Sequence, residues 1–83
     1  MPNPYEVIHR ETNTREENGI KYEDVRGYDS QGRLVLQATY IKYPDGKEGH
    51  FFRSVDENGY WDGGFYDPIS DTHGQLAREP FEE

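Results

Sequence analysis

Hydrophobic and polar positions alternate along much of this chain, in short segments separated by polar turns. The clearest segment spans residues 33–43, whose apolar side chains fall on both sides of a two-residue alternation: Leu34, Leu36, Ala38 and Tyr40 on one side, Val35, Ile41 and Tyr43 on the other. A period of two is that of a β-strand, and apolar groups on both sides indicate a central strand. The sequence predicts five strands, near residues 4–13, 20–28, 33–43, 48–55 and 60–66.

Glycine-containing turns separate these segments at intervals of 13 to 15 residues. Each turn combines Asp or Asn with a glycine, namely Gly19, Gly32, Gly46, Gly59 and Gly74. Asp and Asn side chains initiate turns by bonding nearby backbone, and glycine accepts the positive φ that closes them. We therefore predict an all-β fold: one small antiparallel β-meander sheet of four to five strands, open or curled into a half-barrel, that forms a single domain over residues 1–83.

Three local features refine this prediction. Gly27 in the second strand predicts a bulge, and the pair Gly63-Gly64 predicts a bend or a close approach of backbones, because glycine in a strand marks such places. Pro68 ends pairing because it lacks an N–H group. Residues 67–83 are therefore expected to form an irregular acidic tail.

The composition predicts a folded domain with a thin core. Only 31% of the residues are hydrophobic, but 14% are aromatic, so we expect a core rich in tyrosine. Apolar groups on both faces of a sheet without helices also predict a homodimer, or a monomer that readily acquires a partner. The chain has no cysteine, and it shows no signal peptide or apolar run that would span a membrane. These properties favour a cytoplasmic protein.

The net charge of −8 is concentrated near the C-terminus. Residues 56–83 contain eight acidic residues and one basic residue, Arg78. Phosphate backbones and anionic membranes would be repelled by this segment. We therefore expect a basic protein partner, without direct binding to nucleic acid or membrane.

An aromatic run, residues 60–66, lies in the acidic segment. On a strand, Trp61 and Phe65 would share one face, and Tyr60 and Tyr66 the other. These side chains either complete a small core or form an exposed docking surface, since Trp and Tyr dominate the centres of protein interfaces. On the second interpretation, the predicted partner-binding residues are Tyr60, Trp61, Asp62, Phe65, Tyr66, Glu79, Phe81, Glu82 and Glu83.

The chain lacks the motifs of common catalytic sites. It has no cysteine nucleophile, none of its serines lies in a Gly-x-Ser-x-Gly context, and no glycine-rich loop could hold a phosphate. We predict a non-enzymatic protein-interaction module without a cofactor: a small acidic regulatory subunit or an inhibitor that docks on a basic protein. The alternative is a domain that binds a small ligand or a divalent metal, with Trp61 and Tyr66 as a platform and Asp67, Asp71 and His73 as polar ligands.

Overall fold

The computed structural model describes residues 3–82, and it confirms the all-β antiparallel meander. The strands within these residues are β1 (His9–Glu17), β2 (Ile20–Tyr28), β3 (Leu34–Lys42), β4 (Glu48–Val55), β5 (Tyr60–Asp67), β6 (Thr72–Gln75) and β7 (Glu79–Pro80). Strands β1 to β6 follow one another across a single sheet, and β7 also pairs with β5. In the described part of the chain, β1 and β6 remain separate edges, so the sheet is open and is not a barrel.

The turn chemistry read from the sequence accounts for the hairpins. Asn18 and Gly19 both have positive φ values, 53° and 79°, as a two-residue hairpin loop requires. The next three hairpins, beginning at Asp29, Tyr43 and Asp56, share one hydrogen-bond pattern. In each, the N–H of the first residue bonds the carbonyl of the fifth, and the N–H of the glycine bonds the carbonyl of the first.

The sequence prediction underestimated the number of strands and the order of the C-terminal tail. Residues 72–75 and 79–80 form β6 and β7, and both lie along the edge of β5 that β4 leaves free. Gly74 does not close a turn: it pairs with Phe65 inside β6, and Asp71 adopts the positive φ of 52° instead. These short strands form because β5 offers them an unpaired edge, and they carry little apolar alternation of their own.

The first strand was predicted at 4–13 but lies at His9–Glu17. The predicted segment included the apolar residues Val7 and Ile8, whereas all nine residues of β1 are exposed. The Val7 side chain instead lies against Gly27 of β2, where an added Cβ would lie 2.9 Å from Val7 Cγ1. The tight loop at Asn18-Gly19 and pairing with β2, rather than hydrophobicity, therefore determine where β1 lies.

The core is small and aliphatic, so the expected tyrosine-rich core was wrong. The buried hydrophobic side chains are Val35, Leu36, Ala38 and Val55. Both Val35 and Leu36 are buried where the register between β2 and β3 shifts, next to Gly27. A register shift therefore lies beside the predicted bulge, but the extra residue is Val35 of β3 rather than a residue of β2. A single layer of sheet cannot enclose large side chains on both faces, so the tyrosines described in the structure are half-buried or exposed.

The predicted close approach at Gly63 is confirmed. Gly63 lies opposite Arg53 in the pairing of β4 with β5. A Cβ built on Gly63 would lie 1.9 Å from the carbonyl oxygen of Phe52, which is far inside van der Waals contact. Any side chain at this position would therefore push β4 and β5 apart.

Candidate functional site: an exposed aromatic face

One row of aromatic and histidine side chains crosses four strands on one face of the sheet. In the register, Tyr40 of β3 lies opposite His50 of β4, His50 opposite Tyr66 of β5, and Tyr66 opposite His73 of β6. Residues directly opposite each other point to the same face and stand close enough to interact. Ring centroids are 6.3 Å apart for His50 and Tyr66 and 6.5 Å apart for Tyr66 and His73. We call these four residues the aromatic row.

Two further aromatic side chains share the face of the aromatic row. Phe52 lies opposite Ala38 and Gly64, and Tyr60 belongs to the same alternation of β5 as Tyr66. The exposed fractions are 48% for Tyr40, 37% for Phe52 and 42% for Tyr60. We call the aromatic row together with Phe52 and Tyr60 the aromatic face. A shallow groove of about 710 Å³ runs over Gly64 between Phe52 and the aromatic row, because Gly64 has no side chain to fill it.

The turn after β5 holds Tyr66 of the aromatic row in place. The Tyr66 hydroxyl donates a hydrogen bond to the Asp71 carboxylate, at 3.1 Å. This hydrogen bond is the main reason that the pKa of Tyr66 is raised above its usual value. Asp67 accepts hydrogen bonds from the backbone N–H of Ile69 and the hydroxyl of Ser70, at 3.0 and 3.1 Å. Both carboxylates therefore stabilise the turn.

The residues of the alternative metal or small-ligand site do not share one surface. Tyr66 and His73 lie on the aromatic face, whereas Trp61 belongs to the opposite alternation of β5, which faces away. Asp67 and Asp71 are engaged in the turn. Within residues 3–82, no group of three or more His, Asp or Glu side chains is placed to hold a metal ion.

Trp61 is part of a polar and aromatic network on the other face. The Arg53 guanidinium stacks on the Trp61 ring, 4.2 Å from the ring centroid, and it also donates a hydrogen bond to Gln37 at 2.7 Å. Phe81 meets Trp61 edge-on, with centroids 5.7 Å apart. Both the Trp61 and Phe81 rings are half-buried, so they contribute to packing.

The two ends of the chain meet around Phe81. The ring of Tyr5 packs edge-on against Phe81, with centroids 5.5 Å apart, and Arg33 lies over both rings. Arg33 also forms an ion pair with Glu82. We call Tyr5, Arg33, Trp61 and Phe81 the terminal cluster. It joins the N-terminal segment to the C-terminal one across the β2–β3 and β4–β5 turns.

The predicted partner-binding residues are therefore divided between two faces. Tyr60, Asp62 and Tyr66 lie on the aromatic face, whereas Trp61, Phe65 and Glu79 lie on the other. Phe81 and Glu82 pack in or against the terminal cluster, and Glu83 lies outside the described residues. Part of the acidic charge is balanced within the chain, since Asp56 pairs with Arg78 at 2.5 Å.

Sequence reasoning missed three residues of the aromatic face: Tyr40, His50 and Phe52. The alternation of side chains along β3 and β4 assigned each of these residues to one side of its own strand. Which residues lie opposite one another depends on the strand register, however, and register follows from the exact length of each turn. The nearly regular spacing of the glycine-containing turns was the available signal.

Comparison with protein-family models, with curated proteins and with solved structures finds no match to this chain. No helix in residues 3–82 has the length and apolarity needed to cross a membrane.

Proposed function

We propose that this protein is a non-enzymatic protein-interaction module that docks on a basic protein through its aromatic face. The observation that carries this proposal is the aromatic row with its exposed neighbour Phe52; Tyr60 is exposed on the same side of β5, nearer the start of that strand. Aromatic side chains with a polar atom supply large contact areas and dominate the centres of protein interfaces. Here they stand together on one open surface.

The total surface of the chain supports docking of this kind. The chain exposes 6002 Å², whereas a compact monomer of this mass would expose about 5,100 Å². The excess of about 900 Å² is close to the ~800 Å² that each partner contributes to a standard protein interface. The physical reason is the single-layered sheet, which lacks the second layer that most domains have and leaves the chain elongated, at 44 × 24 × 21 Å.

The charge of the chain supports a basic partner. With a net charge of −8, the protein attracts cations over a distance comparable to the Debye length, about 10 Å at 0.1 M salt. Glu23, which lies opposite Tyr40, and Asp62 place carboxylates on the aromatic face itself. Charges at the rim of an interface mainly increase the association rate, while aromatic anchors slow dissociation.

The test separates these two contributions. Affinity capture from the native cell identifies candidate basic proteins, and binding of each purified candidate is then followed by stopped flow. The double variant Tyr40→Ala/Phe52→Ala should raise the dissociation rate at least about tenfold, as expected for hot-spot residues. Asp62→Asn should slow association and reduce its dependence on salt.

Ile69→Ala is the matched control, because Ile69 is an exposed apolar side chain, 68% accessible, in the turn outside the aromatic face. It should bind as the wild type does. Circular dichroism of each variant must show an intact sheet. A double variant that binds with unchanged kinetics would show that the aromatic face is not the docking surface.

A further inference from the structure

The outer edge of β1 is open. Among residues 3–82, β1 pairs with β2 and with no other strand, and all nine of its residues are exposed. Residues 3–7 do not pair with this edge: the Val7 side chain lies against Gly27 of β2, and Tyr5 packs on Phe81. A free strand edge of this length is a template for another strand.

The hairpin geometry shows which backbone groups face outward. The two-residue loop Asn18-Gly19 makes Glu17 and Ile20 a hydrogen-bonded pair, and hydrogen-bonded pairs alternate along an antiparallel ladder. The odd-numbered residues of β1 therefore bond to β2. The even-numbered residues, Arg10, Thr12, Thr14 and Glu16, direct their N–H and carbonyl groups away from the sheet.

The side chains of β1 form a charge pattern that is complementary to itself. The strand reads His-Arg-Glu-Thr-Asn-Thr-Arg-Glu-Glu. When a second copy runs antiparallel with Asn13 opposite Asn13, the other pairs are His9 with Glu17, Arg10 with Glu16, Glu11 with Arg15, and Thr12 with Thr14. Arg10, Glu11, Arg15 and Glu16 then each face a residue of opposite charge, and each threonine faces a threonine. Pairs of both kinds stabilise antiparallel strands.

The neighbouring registers lack this match. Hydrogen bonding between two such edges requires even-numbered residues to face even-numbered residues. The two strands can therefore shift relative to each other only by two residues at a time. One step in one direction places His9 opposite Arg15, and one step in the other places Glu11 opposite Glu17. Neither of these neighbouring registers places opposite charges face to face, whereas the register centred on Asn13 pairs Arg10 with Glu16 and Glu11 with Arg15 and has no like-charge pair.

We propose that two copies of this protein pair through β1, antiparallel and centred on Asn13, to form one continuous sheet. Arg10, Thr12, Thr14 and Glu16 of each copy then supply about eight backbone hydrogen bonds between the chains. The arrangement has two-fold symmetry and closes at two copies. The far side of the sheet ends in the short strands β6 and β7, which offer no comparable edge. The aromatic faces of both copies remain open, so this inference does not rest on the proposed function.

Sedimentation equilibrium across a concentration series tests the proposal through the pair Arg10 and Glu16. Both side chains are exposed, and neither makes a side-chain hydrogen bond or ion pair with another residue of 3–82. By symmetry, Arg10→Glu alone or Glu16→Arg alone converts two attractive contacts into two repulsive ones. Either should raise the dimer dissociation constant about tenfold or more. The double variant Arg10→Glu/Glu16→Arg restores opposite charges and should restore the wild-type constant.

Thr12→Pro provides a variant that does not depend on charge. The backbone N–H of Thr12 faces away from β2, so proline at this position removes hydrogen bonds between the copies and leaves the β1–β2 hairpin paired. It should abolish the dimer while circular dichroism stays unchanged. A wild type that stays monomeric at all concentrations, or a dimer indifferent to the single reversals, would overturn the proposal. Failure of the double variant to restore dimerisation would overturn the register centred on Asn13.

Discussion

The contact between β4 and β5 at Gly63 makes a sharp stability prediction. In Gly63→Ala, the new methyl group would lie 1.9 Å from the carbonyl oxygen of Phe52 and 2.6 Å from the Cα of Arg53. Favourable carbon contacts need about 3.5–4.0 Å, and both neighbours are backbone atoms that cannot rotate away. The strands must therefore separate by about 1 Å or more, which stretches the adjacent backbone hydrogen bonds beyond their normal range.

The expected cost follows from these two effects. Overpacking costs about 1–3 kcal/mol, and each weakened backbone hydrogen bond adds about 1 kcal/mol. We expect Gly63→Ala to lower the free energy of unfolding by at least about 3 kcal/mol. A chain of this size is stable by roughly 4–12 kcal/mol in total, so the loss is a large fraction of the whole.

Urea unfolding followed by circular dichroism and by the fluorescence of the single tryptophan, Trp61, measures the effect. At a slope of about 1–3 kcal/mol per molar urea, the midpoint should fall by at least ~1 M. Gly46→Ala is the control: its Cβ would have nothing within 4 Å, and its φ of 91° leaves only backbone strain, worth about 1–2 kcal/mol. If Gly63→Ala lowers the free energy of unfolding no more than Gly46→Ala does, β4 and β5 do not approach each other this closely at Gly63.

Two further predictions concern acid stability and the terminal cluster. Burial alone would raise the pKa of Asp29, but hydrogen bonds from Arg33 and Gln31 outweigh this effect and lower the pKa. The ionised Asp29 carboxylate therefore contributes stability that is complete above its unfolded pKa of about 3.9 and is lost as pH falls through the lower folded value. The free energy of unfolding, measured with urea between pH 5 and 3, roughly one unit either side of that pKa, should therefore fall less steeply with decreasing pH for Asp29→Asn than for the wild type. Equal slopes of this free energy against pH would contradict the prediction. Phe81→Ala should lower the free energy of unfolding by about 2 kcal/mol, because it removes two edge-on ring contacts, and it should shift the fluorescence emission of Trp61. The control Phe52→Ala, at an exposed site, should lower the free energy of unfolding by less than about 1 kcal/mol. Equal losses for the two variants would refute the packing role of Phe81.

Much of the fold could be predicted from local chemistry. The strands β2 to β5 lie within one residue of their predicted bounds, and Gly19, Gly32, Gly46 and Gly59 all adopt the positive φ expected of turn glycines. These features depend on interactions within four or five residues, such as an Asp side chain that bonds the backbone of its own turn. The register shift beside Gly27 and the close approach at Gly63 were also visible, because a glycine inside a strand weakens it and usually marks a bulge or a tight backbone contact. The sequence did not show that the extra residue of this shift lies in β3.

The remaining features depended on residues distant in sequence. β1 consists of polar residues that become a strand because the Asn18-Gly19 loop folds them against β2, and β6 and β7 are strands because β5 has a free edge. The alternation of residues 60–66 predicted how these side chains divide between two faces, but it did not predict which side chains surround them. Trp61 packs on Arg53 and Phe81, whereas Tyr66 joins Tyr40, His50 and His73. Alternation assigns a side chain to a face of its own strand, whereas register, set jointly by all the turns, decides which side chains from different strands meet there.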